Sequence, residues 1–129
     1  MEIEDGDTVL KFESYSSNNP FNGCPVEKLY LGRNISYDYD YSPFGYNKKL
    51  TTLTIGNSVT SIEQYAFYGC SGLTSIHCLA KTPPGTSEYY GNSDFFDMYK
   101  TATVYVPSGS YSAYINTAPW CFFNNIVEE

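Results

Sequence analysis

The sequence predicts a parallel β-solenoid: a mainly β or α/β chain of short stacked strands, with an irregular convex side and a separate C-terminal cap. Three observations carry this. Phe21-Asn22-Gly23-Cys24 returns as Phe67-Tyr68-Gly69-Cys70, and Phe44 stands 23 residues from each of those phenylalanines. A fixed period of that length marks a repeat architecture. Within the units apolar residues alternate with period two, as in Leu53-Thr54-Ile55, which makes a short strand with one buried face. After Pro107 the chain leaves the repeat and yet stays apolar, as the covering of an open core end must.

Taken in order, Leu10 and Phe12 alternate ahead of Phe21 and are expected to form an opening strand. The next unit reads Val26, Leu29, Leu31, Gly32 and Ile35, with a loop one residue longer than the following one. The clearest unit starts at Leu50 and runs through Leu53, Ile55, Gly56, Val59, Ile62, Ala66, Phe67 and Cys70. Leu73, Ile76 and Cys78 repeat it 23 residues on. A fourth unit is disguised: Phe95 precedes Val104 by 9 and Val106 by 11, the spacing from Phe67 to Ile76 and Cys78. Five extra residues, at and after Pro83-Pro84-Gly85, hide the match. About five rungs result.

Strands that succeed one another in the same sense must stack in parallel, and return paths this short exclude a long helix. Val59 and Ile62 make the path extended or turn-like, with one helical turn at 65–67. Gly56-Asn57 and Gly69 supply bends where a Cβ would be strained. Stacked Leu, Ile, Val and Phe columns then bury a core that no unit could bury alone. In the tail, Pro107-Ser108-Gly109 stops the last strand. Residues 110–116 suit a short helix burying Tyr114 and Ile115, and Trp120, Phe123, Ile126 and Val127 close the cap. The chain divides into one domain, residues 1–129: an N-terminal strand region (1–20), repeats (21–107) and the cap (108–129).

Fourteen carboxylates against 7 bases leave a formal charge of −7, and such a surface repels phosphate backbones, so nucleic acid is excluded as a partner. The 14 tyrosines suit half-buried positions where the ring packs and the hydroxyl stays wet. No apolar run approaches the roughly 18 residues needed to span a bilayer, so membrane insertion is not expected. Met1-Glu2-Ile3-Glu4-Asp5 is acidic where a signal peptide requires a basic start. The chain as given is therefore expected to be cytosolic or a piece of a longer precursor.

Four cysteines allow three disulfide pairings. Cys24 and Cys70, however, hold equivalent positions two units apart, about 10 Å in a stack with about 4.8 Å strand spacing, beyond disulfide reach. Free, mostly buried thiols are expected, with Cys78 inward on a strand and Cys121 in the tail. Without a Cys-x-x-Cys pair, and with His77 as the single histidine, no zinc site is expected. No cofactor is expected either.

The unit from Leu50-Thr51-Thr52-Leu53-Thr54-Ile55-Gly56-Asn57-Ser58-Val59-Thr60-Ser61-Ile62, through Ala66-Phe67-Tyr68-Gly69-Cys70 to Leu73, resembles the BspA-like leucine-rich repeats. These are the 23-residue class found in surface proteins of anaerobic bacteria. Thr82-Pro83-Pro84, Val104-Tyr105-Val106-Pro107, Gly109-Ser110, Tyr114, Trp120, Phe123 and Ile126 resemble the usual C-terminal ending of such proteins. The resemblance covers roughly residues 21–127. It implies a leucine-rich-repeat solenoid and adhesion or binding to host or bacterial partners, and it supplies no catalytic residues. Family members are longer and carry an export signal, so the resemblance implies the C-terminal portion of a secreted or cell-surface protein. One unit departs: Ile35-Ser36-Tyr37-Asp38-Tyr39-Asp40-Tyr41-Ser42-Pro43 replaces the usual Val-x-x-Ile loop and is expected to project.

In such a fold the residue between two inward positions faces outward on the concave sheet. Those residues are Lys11, Tyr30, Thr54, His77 and Tyr105, flanked by Lys28, Thr52, Ser75 and Thr103. A ladder of Tyr30, Thr54, His77 and Tyr105 is the first binding candidate, for a protein partner, since tyrosine is favoured at interface anchors. An ordinary solvated sheet face is the plain alternative. The second candidate is the Tyr37, Asp38, Tyr39, Asp40, Tyr41 loop, whose rings could stack on sugars while the carboxylates accept hydroxyl bonds. A polar extra-residue loop is the plain alternative there, and two carboxylates are too few for calcium. An enzyme is the weakest class: no Gly-x-Ser-x-Gly elbow, His-Glu-x-x-His or Walker loop is present. Gly69-Cys70-Ser71-Gly72 looks like a reactive-thiol turn, but its repeat at Gly23-Cys24 makes it a structural corner. The sequence thus points to non-enzymatic recognition or adhesion, with a carbohydrate module or a ligand-free spacer as alternatives.

Overall fold

A computed structural model describes residues 1–12, 25–37, 42–63, 65–86 and 95–129, without the side chains of 96 and 97. Its main sheet draws strands from both termini and from each repeat: β1 (Glu2–Ile3), β3 (Lys28–Leu31), β5 (Thr52–Ile55), β7 (Ser75–Cys78), β9 (Thr103–Val106) and β10 (Asn125–Glu128). Among the described residues they lie in the order β1-β3-β5-β7-β9-β10, all neighbours parallel. The period-two reading explains the register. Leu29, Leu53, Ile76, Val104 and Ile126 align in one inward column, and Ile3, Leu31, Ile55 and Cys78 in another.

Behind the sheet runs the aromatic column that the 23-residue period foretold. Phe44 stacks on Phe67 at 6.2 Å and Phe67 on Phe95 at 5.4 Å, with interplanar angles of 19° and 15°. All three are fully buried within one hydrophobic cluster that extends from Ile3 to Phe123. The return path at 65–69 is a hydrogen-bonded turn, not the helical turn expected, with bonds from Tyr68 N–H to the Tyr65 carbonyl and Cys70 N–H to that of Phe67. Tyr65 takes φ +60°, which ends any helix there. A short 3-10 segment, Phe96–Tyr99, replaces that turn in the last unit.

Two expectations about the N-terminal half need correction. Leu10–Phe12 (β2) does not open the main sheet; it pairs with Ile35–Tyr37 (β4) on the return side. Leu10 is 39% exposed, while Phe12 stands edge-on to Phe44 at 6.3 Å. The opening place belongs to β1, because Ile3 aligns with Leu31 and extends the inward column. The segment from Ile35 does not simply project either: Ile35 is buried and Tyr37 packs against the core. A second pair on the return side joins β6 (Ser61–Ile62) to β8 (Gly85–Thr86). Asn34 fastens neighbouring return paths, its Oδ1 accepting from Thr60 N–H at 2.8 Å and its Nδ2 donating to Thr60 Oγ1 at 2.7 Å.

The tail covers the core end as expected, and then rejoins the sheet as β10. Trp120 is fully buried, 5.6 Å from Phe95 and 5.6 Å from Tyr114, and its Nε1–H donates to the Pro84 carbonyl at 2.6 Å. The helix α1 (Tyr111–Ile115) buries Tyr114 but leaves Ile115 39% exposed, correcting the expectation for Ile115. Successive helical side chains point about 100° apart, so a single turn can aim only one of the two inward.

Candidate functional site

Alternation along each strand sends one residue inward and the next outward. Register then converts the outward set into rows. Glu2, Tyr30, Thr54, His77, Tyr105 and Val127 are direct cross-strand partners, so the first candidate row spans all six strands of the sheet. Lys28, Thr52, Ser75, Thr103 and Asn125 form a second row beside it. Tyr30, Thr54, His77 and Tyr105 are all half-buried; Lys28 is exposed at the edge. Lys11 is not in the row: in β2 it pairs with Ser36 on the return side. A two-residue first strand has no periodicity of its own, which is why Leu10–Phe12 looked like the better opening.

The ladder is ordered by its own contacts. His77 stacks flat on Tyr105, ring centroids 4.6 Å apart at 10°. Glu129 closes that end, with Oε1 3.3 Å from His77 Nδ1 and its N–H bonded to the Val106 carbonyl at 2.8 Å. At the other end the Tyr30 hydroxyl donates to Asp5 Oδ1 at 2.9 Å. Burial, followed by that bond and the charges of Asp5 and Glu2, raises the phenol above its ordinary value, so it stays a donor. A Cβ on Gly56 would come within 2.8 Å of both Asp5 Oδ1 and the Tyr30 hydroxyl, so this glycine leaves the room for the pair. Arg33 holds the segment carrying Asp5: Nε donates to the Glu4 carbonyl at 2.9 Å, Nη2 to that of Asp5 at 3.0 Å and Nη1 to Thr8 Oγ1 at 3.1 Å. Glu2, Asp5, Val127 and Glu129 were missed from sequence because they belong to no repeat.

Of the second candidate, Tyr37 lies in β4, half-buried and packed on the core. Tyr39, Tyr41, Asp38 and Asp40 lie outside the described residues, as do Phe21 and Cys24. Cys70, Cys78 and Cys121 are free thiols, the first two buried and the third exposed. Burial pushes the Cys70 thiol up to about 11 despite the opposing Asn47 backbone bond, and its Sγ–H donates to the Phe44 carbonyl at 3.0 Å. A neutral, occluded thiol is a poor nucleophile, so the 69–72 turn is a structural corner. Burial likewise raises Cys78 and its neighbour Tyr114, whose hydroxyl donates to the Ala80 carbonyl at 2.6 Å. A surface depression of about 250 Å³, walled by Asn57, Thr60, Lys81 and Pro83 among others, shares no residue with the ladder. Among the described residues no group of three or more His, Cys, Asp or Glu is placed to hold a metal. None of their helices is long and apolar enough to cross a membrane.

A parallel solenoid whose outward row crosses all six strands of the main sheet defines a repeat module of the leucine-rich type. The family model described as BspA type leucine-rich repeat region (6 copies) matches residues 12–126, and the chain belongs to that family. Comparison with curated proteins finds no match. Repeats of this family commonly serve interactions of surface proteins, and solenoids of this kind are generally non-catalytic.

Proposed function

We propose that the protein is a non-enzymatic recognition and adhesion module that docks a protein partner, host or bacterial, on the outward face of its main sheet. The observation that supports it most is the row Glu2–Tyr30–Thr54–His77–Tyr105–Val127. It combines rings, a hydroxyl and carboxylate-anchored groups in one register across the whole sheet. Tyr30 and the His77–Tyr105 stack are held before any partner arrives, which reduces the side-chain entropy lost on docking. In this proposal the chain acts as one domain, working outside the cell as part of a secreted or surface protein. Family membership supports that placement.

Thr54 sits at the centre of the row and is half-buried, so Thr54→Arg changes the face without opening the core. With a partner isolated by crosslinking to the folded protein, Thr54→Arg and a Tyr30/His77/Tyr105 triple alanine variant are each expected to weaken binding by about tenfold or more. Tyr111→Ala, on the exposed side of the cap helix, should leave it unchanged. Wild-type affinity in both ladder variants would remove the sheet face as the docking surface.

A further inference from the structure

Strand β9 has a neighbour on both sides and alternates between half-buried and buried residues; β10 has one neighbour, and all its residues but the half-buried Ile126 are exposed. In a parallel ladder alternate residues turn both backbone groups toward the same neighbour. Glu129 N–H bonds to the Val106 carbonyl, so Asn125, Val127 and Glu129 face β9. Ile126 and Glu128 therefore turn N–H and C=O away from it, and among the described residues the sheet ends there. Such an edge is a template for another chain, and proteins ordinarily blunt it with shortness, proline or charge. The opposite edge is blunted. There β1 has two residues, Glu2, Glu4, Asp5 and Asp7 crowd it, and Arg33 occupies the Glu4 carbonyl. The β10 edge has no such protection. After Lys100 the chain carries only two charged residues, Glu128 and Glu129. Both are engaged within the molecule: Glu128 Oε1 accepts from Tyr111 N–H at 3.0 Å, and Glu129 meets His77. Val127 is 46% exposed, and Ile115 and Phe122 add exposed apolar surface in the cap, where α1 packs against β10 and Trp120–Phe122.

We propose that the free edge of β10 pairs antiparallel with the same edge of a second copy of this chain, about a two-fold axis at Val127. Val127 then lies opposite Val127 of the second copy as a non-hydrogen-bonded pair, the kind that brings β-branched side chains closest. On either side Ile126 exchanges both backbone bonds with Glu128 of the second copy, and the two-fold repeats the exchange. All outward groups of both edges are used. Centring on Ile126 instead would call on the Asn124 N–H, which already donates to the Tyr99 carbonyl at 2.9 Å. Charge selects the same partner. Across the axis Glu128 faces Ile126 and Glu129 faces Asn125, so no like charges stand opposite. Continuing the solenoid head to tail onto β1 would set Glu129 against Glu4 and would propagate without closing. The pairing goes beyond the docking proposal and does not depend on it. It would carry the outward row of one copy through Val127 into that of the other, setting two ladders on one sheet.

The test is sedimentation of the folded protein over a concentration series, joined to amide exchange at the two ends of the series. The mass should move from the 14.5 kDa monomer to twice that value. Half-dissociation is expected at about 10–500 µM, because a strand edge makes an interface of the small, weak class. Exchange at Ile126 and Glu128 should slow about fivefold or more in the dimer, while Val127, already bonded to β9, changes less. Val127→Lys and Val127→Glu each set like charges across the axis at an exposed position and should stay monomeric. Their equimolar mixture should dimerise again, since opposite charges then face one another. Thr54→Arg, on the centre of the sheet face, should dimerise as the wild type does. A monomer up to about 1 mM would overturn the proposal, as would species that grow beyond a dimer. Dimers retained by both charge variants, or no recovery in their mixture, would also overturn it. A monomer whose Ile126 exchange slows only on adding another protein would assign the edge to a foreign strand and overturn the self-pairing.

Discussion

Replacing Phe67 by alanine should reveal how far the aromatic column holds the repeats together. The side chain is fully buried and lies flat between Phe44 at 6.2 Å and Phe95 at 5.4 Å, so one substitution opens contacts to both neighbouring units. Loss of transfer energy plus the cavity left behind puts Phe→Ala at about 3–5 kcal/mol. Phe67→Leu keeps most of the volume and forfeits mainly two ring pairs, each worth about 0.5–1.5 kcal/mol, or about 1–3 kcal/mol together. For a chain of this length stability totals about 6–19 kcal/mol, so the alanine variant removes a substantial share. Urea titration followed by far-UV circular dichroism should show the midpoint falling in the order wild type, Phe67→Leu, Phe67→Ala. Thermal midpoints should fall by about 3–4 °C per kcal/mol. In a solenoid stability comes from nearest-neighbour interfaces, so the alanine variant should also show a shallower slope as the two halves uncouple. A loss below about 1 kcal/mol, or equal losses in the two variants, would refute the view that the stacked column is the principal inter-repeat contact.

Two further outcomes follow from the geometry. A Cβ on Gly32 would meet the Ile3 carbonyl oxygen at 2.4 Å and the Asp5 nitrogen at 2.5 Å, backbone atoms that cannot swing aside. Gly32→Ala should therefore detach β1 and raise amide exchange at 3–6. Gly85→Ala has open space and should change stability by less than about 1 kcal/mol, and similar exchange in the two variants would contradict the reasoning. The folded protein should also lose stability in alkali. Cys70 titrates near 9 when unfolded and at about 11 when folded, and Cys78 and Tyr114 are raised as well. Between pH 9 and 11 the folded state keeps the Cys70 proton that the unfolded chain has lost, so stability is intact below 9 and declines above it. The decline from this thiol is up to about 1.4 kcal/mol per pH unit. Melting curves across pH 7–11 should fall less steeply for Cys70→Ala than for wild type; identical slopes would exclude the contribution.

Much of the architecture was legible because each repeat restates the same local physics. Period-two alternation assigned Leu53 and Ile55 inward and Thr54 outward without any knowledge of neighbours, and the 23-residue spacing placed Phe44 and Phe67 in one column. The spacings of 9 and 11 to the inward residues of the following strand, Val104 and Val106, recovered Phe95 across its insertion. The outward set Tyr30, Thr54, His77 and Tyr105 was legible for the same reason. Lys11 was misplaced because alternation at Leu10–Phe12 fits either sheet, and only partner availability decides between them. Ile3, aligned with Leu31, wins the main-sheet position, and Phe12 then finds Phe44 from the return side.

The sequence by itself determined the solenoid, the facing of its strand residues and the cap built on Trp120, because burial of a repeated apolar pattern is a property of each unit. Tertiary structure alone decided what the non-repeating segments do. It set β10 as a sixth strand, tied Asp5 to Tyr30 and Glu129 to His77, and gathered Tyr46, Tyr65 and Tyr68 around two left-handed turns. Those contacts join residues from different units through backbone shapes that local preference disfavours. Such pairings are settled by which surfaces meet, a quantity no single stretch of chain contains.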